Sequence, residues 1–299
     1  TNNDNKVLDT TVTNTHTPEK IKLNVSKTWT DGSNQDGIRP TTVTFKIIDA
    51  TDATSKIDTG KTIVLSAGSD NIWQPAELTK DSGDVFKYKN TGTLIVYELE
   101  EEATTVITGT DGVGTYKDSV TKSATNAYQF TAENTHTPDT VTLSVSKTWT
   151  DGNNQDGIRP TSLTFKIYDA TDANNKINTG KTIVLSAGTD GIWQTDELSG
   201  TSVALPKYKG TGTLIIYELE EVKTTVITGT DKAEEYAYEV TKNSAYSFTS
   251  VNTHTPETVT LSVSKTWTDG NNQDGIRPTS LTFKIYDVTD ASNKIDTGK

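Results

Sequence analysis

The chain repeats itself at the scale of a whole domain, and that fixes what it can become. The segment VSKTWTDG starts at Val25, Val145 and Val263, and NTHTP starts at Asn14, Asn134 and Asn252. Between them lie matching copies of DGIRP, TFKI, TGKTIVLSAG and a YELEE run. The recurring lysines Lys27, Lys147 and Lys265 set a period of 120 and then 118 residues. A solenoid unit is far shorter, so each period is a folding domain of its own. The expected division is 1–18 as the last strand of a preceding repeat, 19–138 and 139–256 as complete units, and 257–299 as the N-terminal part of a third. The register of the repeat and the missing initiator Met lead us to expect an excerpt of a longer protein. The junctions are short and contain proline, which stiffens them, so neighbouring units should form a semi-rigid rod.

Within a unit the apolar residues alternate. Ile21, Leu23, Val25 and Trp29 fall on one parity, as do Leu163, Phe165 and Ile167 in the second unit. Short alternating runs separated by Asp-Gly, Thr-Gly and Asn-rich turns predict an all-β sandwich. Only 31% of residues are apolar, so the cores must be thin, and Thr, Val, Ile and Tyr supply the strand formers. There is no cysteine to staple them. A net charge of −12 repels polyanions, so neither nucleic acid nor membrane is expected as a partner.

Parity also puts polar residues where a core should be. Side chains two apart on a strand share a face. Lys27 shares that of Leu23, Val25 and Trp29, Glu101 that of Tyr97 and Leu99, and Asn134 that of Phe130 and Ala132. The second unit repeats the trio as Lys147, Glu221 and Asn252. Burying any of these unpaired costs several kcal/mol. Two readings follow. Each residue could escape to solvent near a strand end, with Lys and Glu forming an ordinary salt bridge. Alternatively the three meet. A dry lysine loses its charge and becomes a nucleophile, and a dry glutamic acid keeps its proton. That acid can hydrogen-bond the asparagine carbonyl, polarise it and pass protons to departing ammonia. The product is a Lys–Asn isopeptide bond, formed once and without turnover, so the chain is not an enzyme in the ordinary sense. The cluster Glu98, Glu100, Glu101 and Glu102 leaves the register open: a one-residue bulge would turn Glu100 inward instead.

At these residues the chain resembles a known family. The combination of Val25, Lys27 and Trp29, then Asn34 to Pro40, Trp73, Tyr97 to Glu101, and Asn134 to Pro138 is similar to the B-type repeat of Gram-positive collagen adhesins (Cna-B), whose relatives occur in pilins. The second unit matches through Lys147, Arg159, Pro160, Trp193, Glu221 and Asn252. The resemblance implies tandem reversed immunoglobulin-like (prealbumin-like) sandwiches. It implies stalk or spacer repeats of an extracellular, cell-wall-anchored adhesin or pilin. It also assigns the cross-link to Lys27 with Asn134 and Lys147 with Asn252, with Glu101 and Glu221 as the catalytic carboxyls. Asn14 and Lys265 are expected to stay unpaired. The implied partners are neighbouring repeats and, through other domains, a host matrix protein.

The remaining candidates are weaker. The loop from Asp151 to Gly157 is rich in oxygen but breaks the EF-hand register, so a capped turn is the better account and no metal is expected. His16, His136 and His254 stand one per junction and read as solvated linker residues. No Ser-His-Asp set, Cys-His set or phosphate loop is present, and no cofactor is expected. The rival to a spacer is a repeat that binds a matrix ligand directly. Its best place is the stretch 77–89 against 197–209, where the two units diverge.

Overall fold

The computed structural model describes residues 10–103, 116–210, 212–223 and 236–299, with the Thr91 side chain left aside. It separates into two compact units, Thr1–Pro256 and Glu257–Lys299. The first holds two sandwiches of the same construction.

In the first sandwich the strands are β1 (Lys20–Thr30), β2 (Thr42–Asp49), β3 (Ile57–Ser66), β4 (Thr79–Phe86), the short pair β5 (Tyr88–Lys89) and β6 (Thr93–Leu94), β7 (Tyr97–Glu101), β8 (Lys117–Lys122) and β9 (Gln129–Thr135). One sheet runs in the order β4-β1-β9-β8 and the facing sheet in the order β3-β2-β7. The first and last strands of the sandwich, β1 and β9, lie side by side and parallel. The other pairings are antiparallel. A sheet order that joins the two ends of the domain places the entry and exit of the chain on adjacent strands.

The alternation read from the sequence is the alternation observed. Leu23, Val25, Phe130 and Ala132 from one sheet meet Phe45, Ile47, Ile63, Leu65, Tyr97 and Leu99 from the other. Burial of each large side chain contributes about 1.5–3 kcal/mol. Trp73 closes one end and donates its indole N–H to the Pro40 carbonyl at 2.8 Å. The second sandwich copies this with sheets of four and three strands, and Trp193 donates to Pro160.

The third copy of the first-strand sequence behaves differently. Val259, Leu261 and Val263 are exposed, and residues 257–267 form no strand. The same alternating residues become β1 in the first sandwich because β4 and β9 hydrogen-bond both of its edges. Among the described residues no strand pairs with 257–267. The two short strands that do form there are Tyr286–Asp287 and Ile295–Asp296, paired with each other. The expected inward face of Lys265 and Trp267 is therefore not built.

Candidate cross-linking site

The parallel register of β1 and β9 sets Lys27 opposite Ala132 and Trp29 opposite Asn134. Lys27 and Asn134 are thus diagonal neighbours on one inner face, within reach of a long side chain. Glu101 ends β7 on the facing sheet, opposite Phe45. That pairing runs without a register shift, so Glu101 turns inward and Glu100 outward.

The three groups meet away from water. The side chains of Lys27 and Glu101 are 0% and 1% exposed, and their charged atoms lie 3.8 Å apart. Asn134 is buried, and its Nδ2 donates to Glu101 Oε1 at 2.6 Å. Lys27 Nζ donates to the Thr28 carbonyl at 3.2 Å and sits 4.3 Å from the centre of the Trp29 ring. The second unit repeats the arrangement. Lys147 lies 3.9 Å from Glu221, Asn252 Nδ2 donates to Glu221 Oε1 at 2.6 Å, and the Trp149 ring covers the amine at 4.4 Å.

The reading in which these residues escape to solvent at strand ends does not fit this burial. One detail also differs from expectation. The amide nitrogen, not the carbonyl oxygen, faces the carboxyl, and Oδ1 of both Asn134 and Asn252 is buried without a partner.

Desolvation dominates the electrostatics. It lowers the Lys27 and Lys147 ammonium groups to about 8, against the opposing pull of Glu101 and Glu221. It also raises the Glu101 carboxyl above the ordinary carboxylate range, although Lys27 and Asn134 act to lower it. Both shifts favour neutral forms. The units differ at one position: Ser250 donates to Glu221 Oε2 at 2.5 Å, where the first unit has Ala132 and leaves Glu101 Oε2 without a hydrogen bond, 3.8 Å from Lys27 Nζ.

Asn14 and Lys265 belong to no such trio. Asn14 is exposed, and Lys265 is exposed and donates to the Thr266 carbonyl.

Above the site lies a second polar cluster that the sequence did not reveal. Arg39 forks onto Asp31 through two bonds of 2.7 and 2.6 Å, and Tyr116 donates to Asp31 Oδ2 at 2.7 Å. Arg39 stacks on Trp29, and Tyr116 meets the edge of the same ring at a centroid distance of 5.0 Å. Asp151, Arg159, Tyr236 and Trp149 form the same cap on the second unit. The oxygen-rich loop is thus a capped turn: Asn34 N–H donates to Asp31 Oδ1, and Arg39 N–H donates to Asn34 Oδ1.

Two of the junction histidines are not solvated, contrary to expectation. His136 Nε2 lies 2.8 Å from Asp36 Oδ2 and its ring packs on Tyr116. His254 does the same with Asp156 and Tyr236. The capped turn folds back over the junction and half-buries them. His16 is exposed.

Comparison with known proteins agrees with this architecture. The chain is 29% identical over 291 residues to a collagen adhesin of Staphylococcus aureus, covering 94% of this chain and 20% of that protein. The chain thus spans about a fifth of the length of that relative. It also superposes on the crystal structure of two B repeat units of the collagen-binding protein of Staphylococcus aureus. There the TM-score is 0.50 and the identity 28%, covering 88% of this chain and 57% of that one. The family model of the Cna protein B-type domain matches residues 23–135, 143–253 and 261–298, so the chain belongs to the Cna protein B-type domain family.

Proposed function

We propose that this chain is a run of stalk or spacer repeats from a cell-wall-anchored adhesin or pilin of a Gram-positive surface. In this reading 19–138 and 139–256 are its complete domains, and each closes a Lys–Asn isopeptide bond within itself. The observation that carries the reading is the meeting of amine, carboxyl and carboxamide in a dry interior, twice, at equivalent positions.

The step balances within the three side chains. The neutral Lys27 Nζ adds to Cγ of Asn134, and the Cγ–Nδ2 bond breaks. The proton shed by Nζ passes through Glu101 to Nδ2, which leaves as ammonia. The carboxyl against Nδ2 is placed for that last transfer. A half-turn of the amide would exchange its two ends. A protonated Glu101 would then donate to the otherwise unpartnered Oδ1 and polarise the carbonyl. Holding amine against amide replaces a bimolecular encounter, the largest obstacle to amide exchange in water. The Trp29 ring helps to keep water out.

The reactive pair, neutral lysine with protonated glutamic acid, carries as many protons as the ion pair does. The rate should therefore be level through neutral pH. Above about 8, where the amine gives up its proton, the pair is left without the acid. Ammonia release during refolding of freshly synthesised, unreacted chain should then fall about tenfold per pH unit. A rate that keeps climbing with pH, as for an exposed amine, would contradict the scheme.

A stalk bears load, and the bond changes where load travels. Force entering β1 crosses at Lys27 to Asn134 and leaves by β9, so the 106 residues between them stay shielded. Single-molecule stretching of the chain should show no release of these segments. An extension step of about 370 Å per unit, from roughly 3.5 Å per residue, would rule out the mechanical reading.

A further inference from the structure

The two sandwiches of the first compact unit touch through a turn that docks into a face, and each sandwich carries both halves. The turn is Gly32–Gly37. Its Asp36 Oδ2 accepts from the Asp139 N–H at 2.8 Å and meets His136 Nε2 at 2.8 Å. The Gln35 carbonyl accepts from the Gly212 N–H at 3.2 Å. Gly212 has φ of +83°, and a Cβ there would lie 2.7 Å from the Asp36 carbonyl oxygen. Only glycine allows so close an approach of the two backbones. Gly32 packs on Pro138, 3.0 Å from where its own Cβ would stand.

The opposite ends of the two sandwiches provide an internal control. Tyr208, on the face that receives the turn, is 4% exposed, while Tyr88 at the equivalent position of the first sandwich is 42% exposed. Ile215 is buried where Ile95 is half-buried, and Gly212 is half-buried where Gly92 is exposed with open space around it. The turn shows the converse. Gln35 and Gly37 are half-buried, whereas Gln155 and Gly157 are exposed. The Asp36 side chain is 5% exposed and that of Asp156 20%.

The uncovered face of the first sandwich is a groove of about 680 Å³ whose lining includes His16, Pro18, Phe86, Tyr88, Gly92 and Ile95. Each except Phe86 has the same residue 120 positions later: His136, Pro138, Tyr208, Gly212 and Ile215. Gly212 touches the Gly32–Gly37 turn directly from the second sandwich, while His136 and Pro138, which end the first sandwich, hold the same turn from its own side, as His254 and Pro256 hold the turn of the second.

We propose that this groove is the receptor for the Gly-x-Asn-Gln-Asp-Gly turn of another unit of the same repeat, seated on its N-terminal side. The occupant's aspartate pairs with the junction histidine at the position of His16 and accepts from the Glu19 N–H. Its glutamine carbonyl receives the Gly92 N–H, and its body covers Tyr88. The joint is heterologous, with the giving end of one unit fitting the receiving end of the next, so it propagates in one direction along a chain of repeats. This deepens the spacer reading and is independent of the cross-link, because none of its contacts involves the Lys, Glu or Asn of the trio.

The test is peptide-resolved tyrosine nitration. In the chain as it stands, Tyr88 should react roughly tenfold faster than Tyr208, in line with their exposures. In a chain extended by a further copy of 19–138 placed before residue 19, Tyr88 should become as slow as Tyr208. Asp36→Ala in the added copy should restore its reactivity. Gly212→Val in the unextended chain should release Tyr208 while leaving Tyr88 unchanged. Intact mass monitors the cross-links throughout: measured against each chain's own sequence, the deficit should stay at one ammonia per complete unit. Tyr88 staying reactive in the extended chain would overturn the proposal, as would Tyr208 indifferent to Gly212→Val.

Discussion

Replacing Glu101 by alanine is expected to stop the first unit from losing ammonia while the second proceeds unchanged. The carboxyl lies beside both the amine and the amide and can carry a proton between them. Without the bond, the loop from Lys27 to Asn134 opens in the unfolded state. By analogy with a disulfide closing about 100 residues, the loss is about 4–5 kcal/mol. In a domain of this size the first unit should melt on the order of 20 °C lower. The buried lysine adds to the loss, since its amine now faces no carboxylate. Glu101→Gln separates the effects: it keeps the volume and a hydrogen bond to the amide but carries no acidic proton. It should likewise keep the first unit from losing ammonia and show nearly the same fall in melting temperature. Survival of the cross-link in either variant would remove Glu101 from the chemistry.

Asp151→Ala is expected to cost the second unit about 3 kcal/mol without affecting its loss of ammonia. The carboxylate, whose side chain is 1% exposed, receives both arms of Arg159, the Tyr236 hydroxyl and the Asn154 N–H. Removing it leaves a guanidinium and a phenol turned into a space that water reaches poorly, the situation in which breaking a pair costs most. The pH dependence has a defined sign. Burial alone raises the Asp151 carboxyl, but the bonds from Arg159, Tyr236 and Asn154 outweigh it and bring it to about 2 from 3.8. A depressed folded value means that the clamp's full contribution is present above about 4 and is lost as pH falls toward 2. Thermal melting of the wild type between pH 5 and pH 2 should show this loss, and Asp151→Ala should flatten it. A variant as acid-sensitive as the wild type would place the effect in other carboxylates.

The trio was legible in the sequence because strand parity is a local rule. Given that Leu23 and Val25 face inward, Lys27 must do so as well, and no long-range information is needed. The choice between Glu101 and Glu100 is not local in the same way, since a bulge anywhere between Tyr97 and Glu101 reverses it. Only the unbroken pairing with β2 decides it. The clamp was hidden for a different reason. Its Asp–Arg half is local and recurs in all three copies, so it could have been noticed. It forms even in residues 257–299, where Arg277 forks onto Asp269. Its Tyr116 partner comes from 85 residues away, and nothing in the local pattern announces it.

The histidines misled because a polar, proline-flanked segment has the composition of an exposed linker. Their burial comes from the turn folding back onto the junction, which periodicity cannot express. The third copy shows the limit from the other side. Val259, Leu261 and Val263 carry a strand pattern as good as that of β1 and remain exposed. Alternation specifies which face a strand buries, but the hydrogen bonds and the apolar surface that make it a strand come from its neighbours.

Everything mechanical in this account depends on a reaction between Lys27 and Asn134, and between Lys147 and Asn252, in the folded chain. The most direct measurement is the mass of the intact, fully denatured protein, followed by sequencing of the branched peptides. The expected mass is short by two ammonia molecules, with the branches at those two lysine–asparagine pairs. A chain of full mass, whose peptides are all linear, would contradict it.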